Sequence, residues 1–145
     1  MVLTFAALLI LLMFVFRPLQ KNAFFMVYFA LMLLSAYCAQ KFGLAYKPFS
    51  KQSFLLFVPF HLVFINFATF AAYGADKKAA QKGERRIPEA QLHLLELLGS
   101  TPAAYLGQKI FHHKTKKKSF QMLFLFVLAL QVAIVYYMFR FLNFF

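Results

Sequence analysis

The sequence predicts an all-α, polytopic membrane protein with four apolar helices and a cytoplasmic or re-entrant helical hairpin. Hydrophobic residues make up 63% of the 145 residues and charged residues only 14%, far from the composition of soluble domains. Four apolar runs cover residues 2–16, 23–39, 54–73 and 120–141. Because a membrane-spanning helix needs about 17 to 25 residues, the last two runs are long enough to span and the second lies at the lower limit.

The first run is short for a span, so tilt, local thinning of the bilayer or an interfacial position are alternatives to a full crossing. No basic residue precedes this run and no small-residue cleavage site lies ahead of Arg17, so we expect a retained helix rather than a signal peptide. Between the second and third runs, Gly43 and Pro48 break the helix. Cys38 is the only cysteine, which excludes a disulfide within the chain, and we expect it only to pack.

The third run carries polar residues on one helical face. Their spacing is three, four and three residues, so they share a face if the helix continues to the last of them: Asn66, Thr69, Tyr73 and Asp76. Polar groups in a span are costly unless they face protein or water, so this face should point into the bundle, for interhelical hydrogen bonds or for a functional site. His61, alone in the same run, is expected to be a hydrogen-bonded core residue rather than a ligand.

A long polar interruption at 74–119 contains most of the chemistry of the chain. It holds all four acidic residues, ten of the sixteen lysines and arginines and three of the four histidines. With four spans, this interruption and the turn at 17–21 share one side of the membrane with twelve basic residues, and the other side has four: Lys41, Lys47, Lys51 and Arg140. The positive-inside rule then predicts an inner-membrane protein with the long loop in the cytoplasm and both termini outside.

Two short helices are predicted within this interruption. Pro88 is favourable at the first position of a helix, and Glu89 suits the positive end of the helix dipole. This helix is expected to stop at Gly99, and a second one to begin at Thr101 and end at His112. Each is about 15 Å long, half of a bilayer. We therefore expect a hairpin that dips into the membrane from the cytoplasmic side or lies along its interface, because a full crossing would separate the two basic segments.

The leading candidate site is the cluster that this hairpin would bring to one membrane surface: Asp76, Lys77, Arg86, Glu89, His113, Lys114 and Thr115. Arginine, lysine, threonine and helix amides can together hold a phosphate, with the two carboxylates orienting the cations. Asp76 or Glu89 with His113 could instead act as an acid and base pair. The structural alternative is that the acids only pair with nearby cations to fix the loop, while the lysines at 116–118 anchor lipid headgroups.

Metal, nucleic-acid and cofactor chemistry are less well supported by the pattern. Glu89, His93 and Glu96 share one helical face, but without an HExxH or paired CxxC motif they do not predict a metal site. The basic run at 112–118 would attract phosphates without reading sequence, and the nearby aromatic residues belong to apolar spans, so no nucleic-acid partner is expected. The sequence has no nucleotide-binding glycine loop, nucleophile elbow or kinase signature, and no cofactor is expected.

Three short elements follow one another in a characteristic order: Asp76-Lys77, Arg86-Ile87-Pro88-Glu89 and His113-Lys114-Thr115. Together with the positions between them, they resemble the bacterial and archaeal membrane-protein family called domain of unknown function 1294. The resemblance covers 54–145, which would be the family core, and leaves two N-terminal membrane helices at 1–53 outside it. The chain departs from the family pattern at three positions, with arginine for the usual tryptophan and two losses in a glycine-rich element: Arg85, Ser100 and Ala103.

The resemblance implies a small integral membrane protein whose family has no established reaction. Some relatives carry an N-terminal cold-shock domain, but the first 50 residues here are membrane-like, so nucleic-acid binding is not transferred. We expect a membrane module whose cytoplasmic cluster binds an anionic group, above all a lipid phosphate, with the bilayer and its anionic headgroups as partners. The alternative is a membrane-embedded enzyme acting on a lipid or isoprenoid substrate, with Asp76, Glu89 and His113 as its acid and base groups.

Overall fold

The computed structural model describes residues 2–16, 21–44, 47, 49–112 and 117–142. Throughout these ranges the regular elements are helices and no strand occurs, so the all-α prediction is confirmed. The helices are α1 (Val2–Val15), α2 (Ala23–Lys41), α3 (Lys51–Lys82), α4 (Glu89–Leu95, continued by a wide turn at Glu96–Ser100), α5 (Thr101–Phe111) and α6 (Lys118–Leu142).

Three of these helices, α2, α3 and α6, are long and apolar enough to cross a membrane. Helix α1 has 14 residues and is about 21 Å long, so its role as a fourth span stays a prediction. The outward faces of the helices expose large apolar side chains, with Phe14, Val63 and Phe126 each more than 60% exposed. Exposed apolar area on this scale is typical of a surface that meets lipid or a partner rather than water.

Helix α3 is the central element of the fold, since it contacts α1, α2, α4 and α5. It begins at the N-cap Ser50, whose hydroxyl accepts a hydrogen bond from the backbone N–H of Ser53 at 3.2 Å, and it ends at Gly83 in the left-handed conformation. With 32 residues it is about 48 Å long and continues well beyond the apolar run at 54–73. The extension is rich in alanine, lysine and glutamine, which favour helix.

The helices place the connections at two opposite ends of the molecule. At one end, Asn22 caps α2 by accepting from the N–H of Phe24 at 3.0 Å, and its amide donates to Gln91 at 3.1 Å. At the other end, the N–H of Phe49 donates to the hydroxyl of Thr4 at 2.7 Å. We call the first of these the loop end; in the described residues it carries Lys21, the segment 76–91 and the segments 109–112 and 117–118.

Helices α4 and α5 form the predicted hairpin, with its break at Gly99, whose φ is 103°. The hairpin packs alongside α3 rather than across its end. Glycine permits this close approach: a Cβ at Gly107 would lie 2.9 Å from the Cβ of Tyr73, and one at Gly74 would lie 3.1 Å from the ring of Phe111. The bounds of α4 and α5 confirm the predicted limits of the hairpin near Pro88, Gly99 and His112.

Candidate functional site

The polar face of α3 points at the hairpin, as the spacing of its residues predicts. Asn66 donates from Nδ2 to the carbonyl of Gly99 at 3.3 Å and accepts at Oδ1 from the N–H of Ala103 at 3.1 Å. One turn further, the hydroxyl of Thr69 donates to the hydroxyl of Ser100 at 2.7 Å. The helix break at Gly99 frees backbone groups that helical bonds would otherwise satisfy, and the amide of Asn66 supplies partners for two of them.

His61 is bound at the deepest point of the hairpin. Its Nε2 lies 2.8 Å from the carbonyl of Leu98, and its Nδ1 lies 2.7 Å from the hydroxyl of Tyr28. Because a carbonyl only accepts, Nε2 must carry the proton, and Nδ1 then accepts from the tyrosine. This single imidazole joins α2, α3 and the hairpin, which agrees with the prediction of a hydrogen-bonded core histidine.

A buried carboxylate lies between the hairpin and α3. The side chain of Glu96 has no exposed surface; the hydroxyl of Tyr73 donates to its Oε1, and Nδ1 of His93 lies 2.6 Å from its Oε2. The ring of Phe120 covers this group, with its centroid 4.2 Å from that of His93. Both carboxylate oxygens therefore have partners, which is the condition under which a buried acid is tolerated.

Helix α6 completes the polar network around the hairpin. The amide of Gln131 donates to the backbone carbonyl of Glu96 at 2.5 Å and accepts from the hydroxyl of Thr101 at 2.5 Å. Nearer the loop end, Nε2 of Gln121 donates to Oε1 of Gln108 at 2.7 Å. A glutamine in an apolar helix is costly without such partners, so its presence at these positions indicates a helix face in contact with protein.

Asp76 anchors the charged loop to α3. Its buried carboxylate accepts from the N–H of Ile87 at 2.8 Å and lies 3.5 Å from Nη2 of Arg86. A backbone donor and a guanidinium on one carboxylate hold the chain in place immediately before α4. The arginine side chain remains 49% exposed, so this contact leaves the guanidinium accessible from outside.

The other members of the predicted cluster take different places. Glu89 pairs with Lys117, whose Nζ lies 2.8 Å from both carboxylate oxygens. Lys77, in the last turns of α3, is half-buried. The remaining three members lie outside the described residues: His113, Lys114 and Thr115. The structure thus brings Asp76 and Arg86 into contact and ties Glu89 to the start of α6, whereas phosphate binding by the cluster stays a prediction.

The three residues of the weak metal pattern, Glu89, His93 and Glu96, do not meet at one point. His93 and Glu96 contact each other, but Glu89 points to Lys117 instead. Within the ranges that the structure describes, no group of three histidine, cysteine or carboxylate side chains is arranged to hold a metal ion.

Sequence reasoning did not identify the contacts of Tyr73 with Glu96 or the role of Gln131. One signal was available, because Glu96 is the only acid inside the apolar part of the hairpin and Gln131 is the only amide inside the central part of α6. The pairs Tyr73–Glu96 and Thr101–Gln131 could not be read from spacing, since their members are more than 20 residues apart in the chain.

Replacing Glu96 tests whether this buried network stabilises the fold. Glu96→Ala removes the acceptor for both Tyr73 and His93, so we expect a loss of about 3–5 kcal/mol in the free energy of unfolding. Glu96→Gln keeps one acceptor oxygen and should cost about 1–2 kcal/mol. Unfolding in mixed detergent micelles by sodium dodecyl sulfate, followed by circular dichroism, would measure both, with the exposed Glu84→Ala as control. Equal midpoints for Glu96→Ala and wild type would contradict a stabilising role.

Comparison with known proteins identifies the family of this chain. A family model described as "Protein of unknown function (DUF1294)" matches residues 66–120, the segment that contains the polar face of α3, the charged loop and the hairpin. The chain is also similar to "Uncharacterized protein YsdA" of Bacillus subtilis (strain 168), with 38% identity over 79 residues, 52% of this chain and 89% of the relative. No solved structure matches. The chain belongs to the family of proteins of unknown function designated DUF1294.

Proposed function

We propose that this chain is an integral membrane protein in which α2, α3 and α6 span the bilayer and the α4–α5 hairpin enters it from the loop end. The apolar outer faces of the long helices support the spans. The hydrogen bonds between α3 and the hairpin extend from Asp76 to His61, a distance of about 22 Å along the helix. A hairpin held over this length is parallel to the spans, which favours a re-entrant position over an interfacial one.

Charge asymmetry supports an inner-membrane orientation with the loop end in the cytoplasm. Among the described residues, nine lysines and arginines lie at the loop end: Lys21, Lys77, Lys78, Lys82, Arg85, Arg86, Lys109, Lys117 and Lys118. The opposite end has Lys41, Lys47, Lys51 and Arg140. Cytoplasmic segments close to membrane spans carry such an excess of positive charge.

The loop end is the surface that we propose binds an anionic group, most directly a lipid phosphate. The observation that best supports this proposal is the position of Arg86: one of its nitrogens lies 3.5 Å from the buried Asp76, while half of its side chain stays exposed. A guanidinium has five donors in a planar fork, and only one of them faces Asp76, so the others are suited to a phosphate.

The acidic residues offset only part of the positive charge of this surface. Asp76 is buried beneath Arg86, Glu96 is buried within the hairpin, and Glu89 is paired with Lys117. Glu84 is the one acid of the four that is exposed without an ion pair to a described residue. The surface therefore presents a strongly positive face at the depth where headgroups lie.

The contacts give less support to the alternative of an acid–base enzyme. Of its proposed groups, Asp76 is buried and holds the loop through Ile87, and Glu89 is bound to Lys117. A general base must come within hydrogen-bond reach of a substrate, and a carboxylate with no exposed surface would first have to release its partners.

A pair of neighbouring arginines provides the test of anion binding. A basic residue near an anionic surface contributes about 1 kcal/mol, so Arg85→Ala should weaken retention of phosphatidylglycerol roughly fivefold at most. Arg86→Ala removes the guanidinium beside Asp76 and should weaken this retention by about tenfold or more. Native mass spectrometry of the purified protein titrated with phosphatidylglycerol measures both variants. Equal retention in the two variants would remove the special role of Arg86, and wild-type retention in both would overturn the proposal.

Orientation can be tested with single cysteines in a Cys38→Ser background. Lys117→Cys at the loop end should react with a membrane-impermeant maleimide only in inside-out vesicles. Lys41→Cys, at the opposite end of α2, should react in intact cells. Labelling of Lys117→Cys in intact cells would reverse the proposed orientation, because the maleimide does not cross the membrane.

A further inference from the structure

An apolar groove runs between α5 and α6, outside the charged cluster at the loop end. Its volume is about 790 Å³. Tyr105 lines it from α5, and Phe124, Leu128 and Tyr136 line it from α6. The hydrogen-bonded pair of Thr101 and Gln131 forms its inner wall. The volume falls in the range of sites that hold small molecules.

The far part of the groove is open because the hairpin is shorter than the helix beside it. The hairpin turns back at Gly99, whereas α6 continues from Gln131, at the level of the tip, to Leu142. The part of α6 beyond the tip therefore lacks cover from α5 among the described residues, and the space beside it stays open along its length.

The length of the groove matches one hydrocarbon chain of a lipid. From Phe124 to Tyr136 is twelve residues of helix, or about 18 Å. The hydrocarbon part of one leaflet is about 15 Å thick, half of a ~30 Å core. A chain that starts at Phe124 would therefore end slightly beyond the middle of the bilayer.

Two lysines flank the end of the groove that lies nearest the loop end. On α5, Lys109 is one turn beyond Tyr105 on the same helix face. On α6, Lys118 is seven residues before Leu125, which lines the groove, and so also shares its face. Both lysines are exposed. Lys118 lies about 9 Å along α6 from Phe124, comparable to the roughly 5–8 Å of headgroup region outside each leaflet.

We propose that the α5–α6 groove holds one acyl chain of an anionic phospholipid, whose phosphate contacts Lys109 and Lys118. The inference rests on the proposed function for its membrane insertion and its anionic partner, but it adds a separate site. Charge selects the headgroup at the loop end, and the groove positions the acyl chain beside α6. A lipid bound in this position would cover the side of Gln131 and Thr101 that faces away from Glu96.

The chain contains no tryptophan, so a single introduced tryptophan reports the groove directly. Tyr105→Trp places the fluorophore in the groove, and Phe126→Trp places it on an exposed face of α6 outside the groove. Each protein would be reconstituted in phosphatidylcholine vesicles that contain phosphatidylglycerol or phosphatidylcholine brominated in the acyl chain. Fluorescence quenching then gives the affinity of each position for one lipid relative to the other.

At Tyr105→Trp, the preference for brominated phosphatidylglycerol over brominated phosphatidylcholine should exceed the preference at Phe126→Trp by roughly thirtyfold at most, since each of the two lysines contributes about 1 kcal/mol. The further change Lys109→Gln with Lys118→Gln should remove this difference. Arg140→Gln is the matched control, because Arg140 lies near the opposite end of α6 and contacts Tyr136 at the far end of the groove. It should leave the difference unchanged.

Three results would overturn the inference. Equal preferences at the two tryptophans would show only bulk lipid in the groove. A difference that survives loss of both lysines would exclude the proposed headgroup contacts, and one that depends on Arg140 would place the headgroup at the wrong end. If the groove shows no preference but lipid retention still depends on Arg86, the proposed function stands and only the groove site is lost. If the groove preference is observed but retention does not depend on Arg86, only the role of Arg86 is removed.

Discussion

The broken backbone at the tip of the hairpin is the constraint on which the rest of the structure depends. A helix that ends inside an apolar environment leaves carbonyl and N–H groups that water cannot satisfy, at a cost of several kcal/mol each. Here the carbonyls of Glu96, Leu98 and Gly99 accept from Gln131, His61 and Asn66. The polar residues of the long helices are explained by this need, and they fix the position of the hairpin against α3.

This constraint also orders the charged loop. Helix α3 carries its polar face past the apolar region to Asp76, where a buried carboxylate accepts from Ile87. The same helix face therefore holds the hairpin at its tip and at its base. Because Asp76 and Glu96 are buried, the exposed part of the loop end is left with more lysine and arginine than acid. The packing of the loop against α3 thus accounts both for the pairing of the acids and for the basic surface.

Much of the fold was predictable from the sequence because its signals are local. Spacing by three and four residues placed Asn66, Thr69, Tyr73 and Asp76 on one face, and the structure shows all of them in contact with the segment 86–103. The backbone preferences of proline and glycine located the hairpin and its break. The Ser100 that departs from the family pattern takes part in these contacts, since its hydroxyl accepts from Thr69 and donates to the carbonyl of Leu95.

The partners within the site were less predictable, since they depend on how distant elements meet. The sequence pattern assigns Glu89 to the phosphate cluster and to one helix face with His93. In the structure, Glu89 pairs with Lys117, immediately before α6. The pairing of Tyr73 with Glu96 needs the close approach that Gly107 allows, which no local pattern encodes. The far part of the groove likewise follows from a difference in length between the hairpin and α6, which becomes visible only after both have been packed.

The contact between α3 and the hairpin tip can be measured most directly by cross-linking in native membranes. The hydroxyls of Thr69 and Ser100 are 2.7 Å apart, so Thr69→Cys with Ser100→Cys, in a Cys38→Ser background, should form a disulfide with mild oxidant. Phe67, which is 63% exposed, lies on another face of α3, and Phe67→Cys with Ser100→Cys should not. We expect both cysteines of the first pair to be protected from a maleimide mass tag, and those of the second pair to remain reactive. Unprotected cysteines in the first pair, or equal protection in both, would contradict a hairpin held along α3.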